Sequence, residues 1–241
     1  MSAEVARCWG VVPAAGIGSR MGTHVPKQYL ELAGATVLER SVNALLCSER
    51  IGGVVVALHP DDERARSLSV FKHAKVSTVT GAEQRSGSVL AGLRALGGRA
   101  SPEDWVLVHD AARPCLHADD LERLIDAVTT TDMGGILAEP LVDTVKQADD
   151  SLRVTATLDR NRLWRAQTPQ MFRLGELIEA LEAAERQDAP VTDEASAMEL
   201  AGRPVQLVPG SRDNLKVTVA EDLALAAWYL ARRLEEYLSC A

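Results

Sequence analysis

The stretch WGVVPAAGIGSRM, residues 9–21, decides the fold of this chain. It begins with an apolar run that ends at a proline, which predicts a buried strand, and a glycine-rich loop follows. Short runs rich in apolar and β-branched residues recur at 53–58, 76–79, 105–109 and 135–138. Helical patterns lie between most of them, and strands that alternate with helices are typical of a parallel sheet covered on both faces.

The helical segments complete a Rossmann-like α/β fold with a mostly parallel sheet and helices on both faces. Thr36 can cap the first helix, which carries apolar residues at helical spacing. Pro60 ends the second strand, and the two aspartates at 61–62 are expected to begin another helix. In such sheets, ligands bind beyond the carboxyl ends of the strands. The loops after the first, third and fourth strands lie at those ends, so we expect the binding site there.

Residues 144–147 and 153–157 alternate around a short turn, which predicts a protruding β-hairpin arm without a following crossover helix. An isolated hairpin is only marginally stable in water. We therefore expect this arm, at about 141–162, to pack on another subunit and form a homodimer. The chain is expected to form a single domain over 1–241. Beyond the arm, the pattern predicts a strand at 205–208 and helices at 174–186, 194–201 and 220–237.

Composition excludes several classes of protein. Of the 241 residues, 46% are hydrophobic and 25% charged, an ordinary balance for a globular α/β domain. The formal net charge of −8 argues against nucleic-acid binding, so any cationic site must be local. The four cysteines lie far apart without zinc-binding spacing, which indicates free thiols in a reducing compartment. Neither a signal peptide nor a run of about 18 apolar residues occurs, so we expect a cytoplasmic protein that does not contact membranes.

The glycine-rich loop has the features of a phosphate site. Gly16 and Gly18 let backbone N–H groups approach an anion closely, and Arg20 and Lys27 bring positive charge to the same space. The loop is neither a P-loop, since it lacks GK followed by Ser or Thr, nor a dinucleotide-binding fingerprint. A GxG pattern alone is weak, and the two cations could be solvated surface residues. The combination of GxGxRM with PKQ is much more specific.

The strings VVPAAGIGSRM, PKQYL, LVHDAARPCL, DTVK, LDRNRLW, AQTPQ, TDEASAME and DNLKVT follow one another along the whole chain. With them the sequence resembles the nucleotidyltransferases that act on sugar or polyol phosphates. Within that group it is similar to the 2-C-methyl-D-erythritol 4-phosphate cytidylyltransferase family. The resemblance implies transfer of CMP from CTP to that polyol phosphate, with release of pyrophosphate, in the non-mevalonate route to isoprenoid precursors. It also implies Mg²⁺ as cofactor and a homodimer in which the arm reaches into the neighbouring subunit.

This reaction limits what the site has to supply. The attacking phosphate is already ionised near neutral pH, so no strong general base is needed, and we expect His109 to be a packed, hydrogen-bonded residue. What remains is in-line positioning and neutralisation of the charge on the α-phosphate. By resemblance the catalytic residues are Arg20, Lys27, Arg160 and Lys216.

The resemblance also implies which residues hold the two substrates. Those expected to bind CTP are Ala14, Ala15, Gly16, Gly18, Gly81, Ala82, Glu83, Ser88, Asp110 and Ala111. Those expected to bind the polyol phosphate are Arg113, Thr144, Arg160, Thr192 and Lys216, of which Thr144 and Arg160 would serve the partner's site. Mg²⁺ is expected to be held mainly by the triphosphate, with Asp110 and Asp213 as candidate ligands.

Alternatives remain for several of these residues. The turn at 81–88 departs from the family at Ala82 and Glu83 and could be an ordinary helix cap. Thr144 alone could be a threonine on a strand surface, and the segment that begins at Thr192 also reads as a helix start. For the whole chain, the alternatives are a ribitol 5-phosphate cytidylyltransferase and a nucleotide-binding regulator without catalysis. A single methyl group discriminates by only about 1–3 kcal/mol, so physics alone separates the two polyol phosphates weakly.

Overall fold

A computed structural model describes residues 7–16 and 25–239, with side chains in the last helix described as far as residue 233. The strands are β1 (Cys8–Ala14), β2 (Glu31–Leu32), β3 (Ala35–Thr36), β4 (Ile51–Leu58), β5 (Val76–Thr80), β6 (Trp105–Val108), β7 (Gly135–Pro140), β8 (Val145–Ala148), β9 (Val154–Leu158), β10 (Trp164–Arg173) and β11 (Gln206–Pro209). The helices are α1 (Val37–Leu46), α2 (Arg85–Arg94), α3 (Ala118–Thr131), α4 (Leu174–Arg186), α5 (Glu194–Leu200) and α6 (Ala220–Ser239).

The central sheet has seven strands in the order β11-β7-β10-β6-β1-β4-β5. Its strands are parallel except β10, which runs antiparallel to both β6 and β7. β1 lies inside the sheet, between β6 and β4, with apolar clusters on both faces. Val12 belongs to the cluster formed with α1 and α3, whereas Val11 belongs to the cluster formed with α2, α4 and α5. The mostly parallel α/β sheet predicted from the sequence is therefore confirmed.

The first helix begins where the sequence predicts. Thr36 and Glu39 form a reciprocal capping box, in which each side chain accepts a hydrogen bond from the other residue's backbone N–H. The expected helix after Pro60 is wrong. The Asp62 Oδ1 accepts hydrogen bonds from the backbone N–H groups of the two residues at 64–65, and only two short 3₁₀ turns follow. The aspartate side chain competes for the backbone donors that a regular helix would need.

β10 is the strand of the central sheet that the sequence pattern missed. It carries Gln167 and Gln170, whose polarity argues against a buried strand, yet both side chains are buried. Their amides are hydrogen-bonded, since the Gln167 Nε2 donates to the Ser211 carbonyl at 2.9 Å and the Gln170 Nε2 donates to the Asp193 Oδ2 at 2.9 Å. Burial of a polar side chain costs little when its partners are in place.

The predicted arm is present. β8 and β9 form a separate two-stranded antiparallel sheet outside the central one. Its side chains are mostly exposed, and they include the apolar residues Leu152, with 89% of its surface exposed, and Val154, with 63%. In the ranges that the structure describes, none of the helices is both long and apolar enough to cross a membrane.

Candidate active site

A cavity of about 340 Å³ opens at the carboxyl ends of β1 and β6, beside the turn that follows β5. Ten of its lining residues are among those singled out from the sequence, namely Ala14, Ala15, Gly16, Lys27, Ala82, Glu83, Ser88, Asp110, Ala111 and Lys216. Five further lining residues were assigned no role, namely Pro13, Gln28, Arg85, Ala112 and Thr218. Three loops that are far apart in the sequence thus converge on one cavity, as the parallel sheet predicts.

Gln28 holds the start of the glycine-rich loop. Its buried amide Nε2 donates to the carbonyl oxygens of Ala14 at 3.1 Å and of Gly16 at 2.9 Å. One side chain therefore binds the carbonyl at the end of β1 and the carbonyl of Gly16, which fixes Gly16 beside the end of β1. Lys27, one residue earlier, lines the cavity, and its Nζ donates to the Val217 carbonyl at 2.9 Å. The predicted residues Gly18 and Arg20 lie outside the described residues.

The turn after β5 is closed by Ser88. Its hydroxyl accepts from the backbone N–H of Ala82 at 2.9 Å and lies 2.9 Å from the Ala82 carbonyl oxygen, within hydrogen-bonding distance. Gly81 donates its N–H to the Leu58 carbonyl at 2.7 Å and lies against Ala15 of the phosphate loop. By resemblance Ser88 is expected to bind CTP, and it does line the cavity. In the structure its hydroxyl shapes the turn from inside, while the exposed Glu83 lies at the cavity rim.

Asp110 is the centre of a cluster of charges. Its Oδ2 lies 2.9 Å from the Lys216 Nζ and 3.5 Å from the Arg113 Nε, and its Oδ1 lies 3.1 Å from the Arg85 Nε. Burial alone would raise the pKa of Asp110, but the three cations outweigh it and hold that pKa well below its usual range. Asp110 is therefore ionised, and Lys216 has a fixed anchor at the cavity.

Arg85 and Glu194 extend this cluster into the core. The Arg85 guanidinium makes a bidentate pair with Glu194, with NH1 to Oε1 at 2.6 Å and NH2 to Oε2 at 3.1 Å. Burial raises the pKa of the fully buried Glu194, and the attraction of Arg85 opposes this shift. Burial alone would lower the pKa of Arg85. The attraction of Glu194 and Asp110 outweighs this effect and raises the pKa of Arg85. In the sequence, Arg85 lies in the turn at 81–88 and Glu194 in the string TDEASAME, but neither was given a role in the site. The signal that could have indicated a buried ion pair was Glu194, an acidic residue beside the apolar face of a short helix.

His109, which precedes the cavity residue Asp110 in the chain, is fully buried. Its Nε2 lies 3.0 Å from the Arg113 carbonyl, which can only accept, so this nitrogen carries the proton. The Nδ1 then accepts from the Thr168 hydroxyl at 2.9 Å, and that hydroxyl accepts from the Asp110 N–H at 3.0 Å. Burial lowers the pKa of His109 to about 4. The packed, hydrogen-bonded histidine expected from the sequence is thus found, and it is neutral near pH 7.

The structure does not bring every predicted substrate residue to this cavity. Thr144 and Arg160 lie on or beside the arm, where the Arg160 NH1 donates to the Val142 carbonyl at 2.6 Å. Thr192 is exposed, and its N–H donates to the Ser196 Oγ at 3.1 Å. Arg113 lies beside the cavity, bound to Asp110.

Asp213 does not line the cavity either. Its carboxylate lies 2.6 Å from both the His117 Nε2 and the Arg233 NH2. These contacts tie the candidate metal ligand Asp213 to His117 and to α6. In the part of the chain that the structure describes, no group of three or more His, Cys, Asp or Glu side chains could hold a metal ion.

Comparison with known proteins identifies the family. The family model described as 2-C-methyl-D-erythritol 4-phosphate cytidylyltransferase matches residues 8–232. The enzyme of that name from Escherichia coli O1:K1 / APEC is 51% identical over 227 residues, which cover 94% of each chain. Its namesake from Klebsiella pneumoniae subsp. pneumoniae is 50% identical over 234 residues, covering 96% of this chain and 97% of that protein.

Solved structures agree with these relatives. The crystal structure of the Francisella tularensis 2-C-methyl-D-erythritol 4-phosphate cytidylyltransferase has a TM-score of 0.79 at 36% identity, over 93% of this chain and 100% of that one. The corresponding structure from Thermus thermophilus has a TM-score of 0.76 at 30% identity, over 94% and 99% of the two chains. On sequence and fold together, this chain belongs to the 2-C-methyl-D-erythritol 4-phosphate cytidylyltransferase family.

Proposed function

We propose that this protein transfers CMP from CTP to 2-C-methyl-D-erythritol 4-phosphate and releases pyrophosphate, a step in the synthesis of isoprenoid precursors. The observation that carries the proposal is the cavity at the carboxyl ends of β1 and β6. It combines a glycine-rich loop, a narrow turn and the Lys216–Asp110 pair in a chain of this family. The product is 4-diphosphocytidyl-2-C-methyl-D-erythritol.

The proposed reaction needs residues that bind and orient the two substrates, and it needs no residue that accepts a proton. A phosphate oxygen of the polyol phosphate forms a bond to the α-phosphorus of CTP, and the bond from that phosphorus to the pyrophosphate oxygen breaks. Lys27 and Lys216, which both line the cavity, would attract the α-phosphate and the incoming phosphate. His109 is buried and neutral, and both of its ring nitrogens already have partners. The absence of a base in this proposal agrees with a nucleophile that arrives ionised.

We include Mg²⁺ in the proposal, and the protein would supply few of its ligands. Mg²⁺ keeps several waters and uses one or two carboxylates plus substrate phosphates. Asp110, the buried carboxylate of the cavity, would supply one such ligand. When bound, the ion neutralises charge on the triphosphate.

We propose a homodimer through the arm. The arm exposes the apolar side chains of Val142, Leu152 and Val154, which a second subunit could cover. In such a dimer, Thr144 and Arg160 would contribute to the partner's polyol-phosphate site, together with Thr192 and Arg113 of the subunit that binds CTP. The cytoplasm is the proposed location, because the three cysteines in the described ranges are free thiols, as in a reducing compartment.

The direct test is an assay of pyrophosphate release. CTP and Mg²⁺ are mixed with 2-C-methyl-D-erythritol 4-phosphate or, in a parallel reaction, with ribitol 5-phosphate. Higher kcat/KM with the methylerythritol substrate is the expected result. Faster reaction with ribitol 5-phosphate would reassign the substrate, and no pyrophosphate with either would leave a nucleotide-binding protein without this activity.

The subunit arrangement has its own test. Arg160→Ala and Lys27→Met are each expected to be inactive as homodimers. Mixed heterodimers should recover activity, since one of their two sites would contain both native residues. Verified heterodimers without activity would mean that Arg160 acts in its own subunit, and an active Arg160→Ala homodimer would mean that Arg160 has no role.

A further inference from the structure

We propose that Glu194 and Arg85 are positioning residues for the transfer reaction, which fix the Asp110 carboxylate and, through it, Lys216. This inference rests on the function proposed above and concerns the same cavity. The four residues form a continuous chain of ion pairs from the core to the cavity wall. Glu194 is at its buried end and Lys216 at its exposed end.

The geometry leaves Arg85 little freedom. Its NH1 and NH2 bind the two oxygens of Glu194 at 2.6 and 3.1 Å, and its Nε binds the Asp110 Oδ1 at 3.1 Å. A guanidinium has five N–H donors in a fixed plane, and each of its three nitrogens already has a carboxylate partner. Arg85 lines the cavity, but these contacts hold it in place, and it cannot turn towards a phosphate while they last.

The orientation of Asp110 follows from this. Because Arg85 occupies the Oδ1, the Oδ2 is the oxygen that faces Lys216 at 2.9 Å. If the guanidinium turned away, the carboxylate could rotate, and the Lys216 ammonium would lose its anchor. The Lys216 charge would then no longer be preorganised where the incoming phosphate must align.

Glu194 is the residue that keeps Arg85 turned inward. It is fully buried at the start of α5, and its carboxylate faces only one cation within ion-pair distance among the described residues. Replacing it by glutamine removes the charge and keeps the shape. Arg85 would then have an electrostatic reason to turn towards the phosphates of CTP, which carry several negative charges. The Arg85 guanidinium would then bind the phosphates of CTP in the ground state, and the arrangement of Asp110 and Lys216 would be distorted.

The experiment compares Glu194→Gln with wild type by steady-state kinetics and thermal unfolding. The expected result is a kcat lowered about 10- to 100-fold, by analogy with the loss of a partner that orients a metal-binding side chain. The KM for CTP should fall or stay near the wild-type value, because binding is not what is lost. The matched control is Arg94→Met. It breaks the exposed Arg94–Glu182 pair on the same helix α2 and should leave kcat unchanged.

A second variant separates positioning from stability. In Arg85→Met/Glu194→Leu both charges are replaced by apolar groups, which often restores stability where a single deletion does not. The proposal expects the Tm to recover while kcat stays low. Recovery of both Tm and kcat would overturn it, since the pair would then serve packing alone.

Two further outcomes are decisive. A folded Glu194→Gln enzyme with wild-type kcat would also overturn the proposal. If the double variant does not fold, Arg85→Lys decides, because it keeps the buried charge paired but loses the bidentate fork. A kcat at least about tenfold lower supports the proposal, and a wild-type kcat overturns it. Wild-type enzyme that releases no pyrophosphate would instead contradict the proposed function itself.

Discussion

Gly81 lies so close to the phosphate loop that one added methyl group tests the shape of the site. A β-carbon at Gly81 would lie 2.6 Å from the Ala15 Cβ and 2.9 Å from the Ser88 Oγ. Nonbonded carbons touch at about 3.5–4.0 Å, so in Gly81→Ala the two loops have to separate by about 1 Å. A misplacement of about 1 Å can lower a rate about 100-fold, which corresponds to about 2.7 kcal/mol. We expect this loss in kcat/KM for CTP.

The assay follows pyrophosphate release with CTP varied and the polyol phosphate saturating, and thermal unfolding is measured on the same samples. Gly52→Ala is the matched control in β4, because its β-carbon would meet its nearest neighbours only at 3.7 Å, an ordinary contact. Its kinetics should equal those of wild type. Gly81→Ala with normal kcat/KM would refute the reasoning, since the two loops would then tolerate separation without loss of function.

A third variant separates local displacement from lost stability. In Gly134→Ala, away from the cavity, the new β-carbon would collide with the ring of the buried Phe172. Overpacking of this kind costs about 1–3 kcal/mol, so the Tm should fall while kcat/KM of the folded enzyme stays normal. If Gly134→Ala were as slow as Gly81→Ala, the slow rate would have to be attributed to destabilisation.

Four further predictions concern charge, proton transfer, the pH dependence of stability and base recognition. Losing one preorganised cation costs about 10²–10³ in rate, so Arg20→Met, Lys27→Met and Lys216→Met should each lower turnover by that factor, and near-normal turnover would remove that residue from the mechanism. His109→Asn should keep most activity, and a folded but inactive variant would reinstate a general base. Because burial lowers the pKa of His109 from 6.5 to about 4, its neutral ring stabilises the fold above pH 6.5, and this contribution is lost as the pH falls towards 4. The wild-type Tm should therefore drop more steeply than that of His109→Asn over this range, and parallel curves would contradict the assignment. CTP should be preferred to UTP, because an unmatched buried polar group costs about 1–3 kcal/mol; equal kcat/KM with both would move base recognition away from the turn at 81–88.

The inner parallel strands β1, β4, β6 and β7 could be predicted from the sequence because they are buried on both faces and read as continuous apolar runs. β10 could not, because its polar residues find their partners far away in the chain. Gln170 bonds Asp193, and Arg165 pairs with Glu139, contacts that no local pattern announces. The prediction of a helix after Pro60 was wrong for the opposite reason, because a local contact decided the structure there. There a local contact, the Asp62 side chain with nearby backbone N–H groups, prevails over the helical pattern.

The candidate site also has features that the sequence could predict and features that it could not. The loops that carry Gly16 and Gly81 could be predicted, because close backbone approach depends on glycine at particular positions in a short string. The charge cluster could not, since Arg85 and Glu194 are 109 positions apart. Their pairing follows only once α2 and α5 lie on the same face of the sheet. Ser88 was named as a CTP-binding residue by resemblance alone, and its hydrogen bonds to the backbone at Ala82 and Gln84 had no local signal in the sequence.

β10 also connects the arm with the floor of the cavity within one strand, although its pairing with β7 shifts register between Ala166 and Gln170. Trp164 begins the strand beside β7, and Thr168 bonds His109 and the Asp110 N–H. A strand advances about 3.3 Å per residue, so the span between the two places is set by the number of residues. One residue inserted or deleted there would exchange the two faces of the strand and move Thr168 off the Asp110 N–H. The hairpin tip around Leu152 has no such restriction, so length variation among related arms should be confined to the tip.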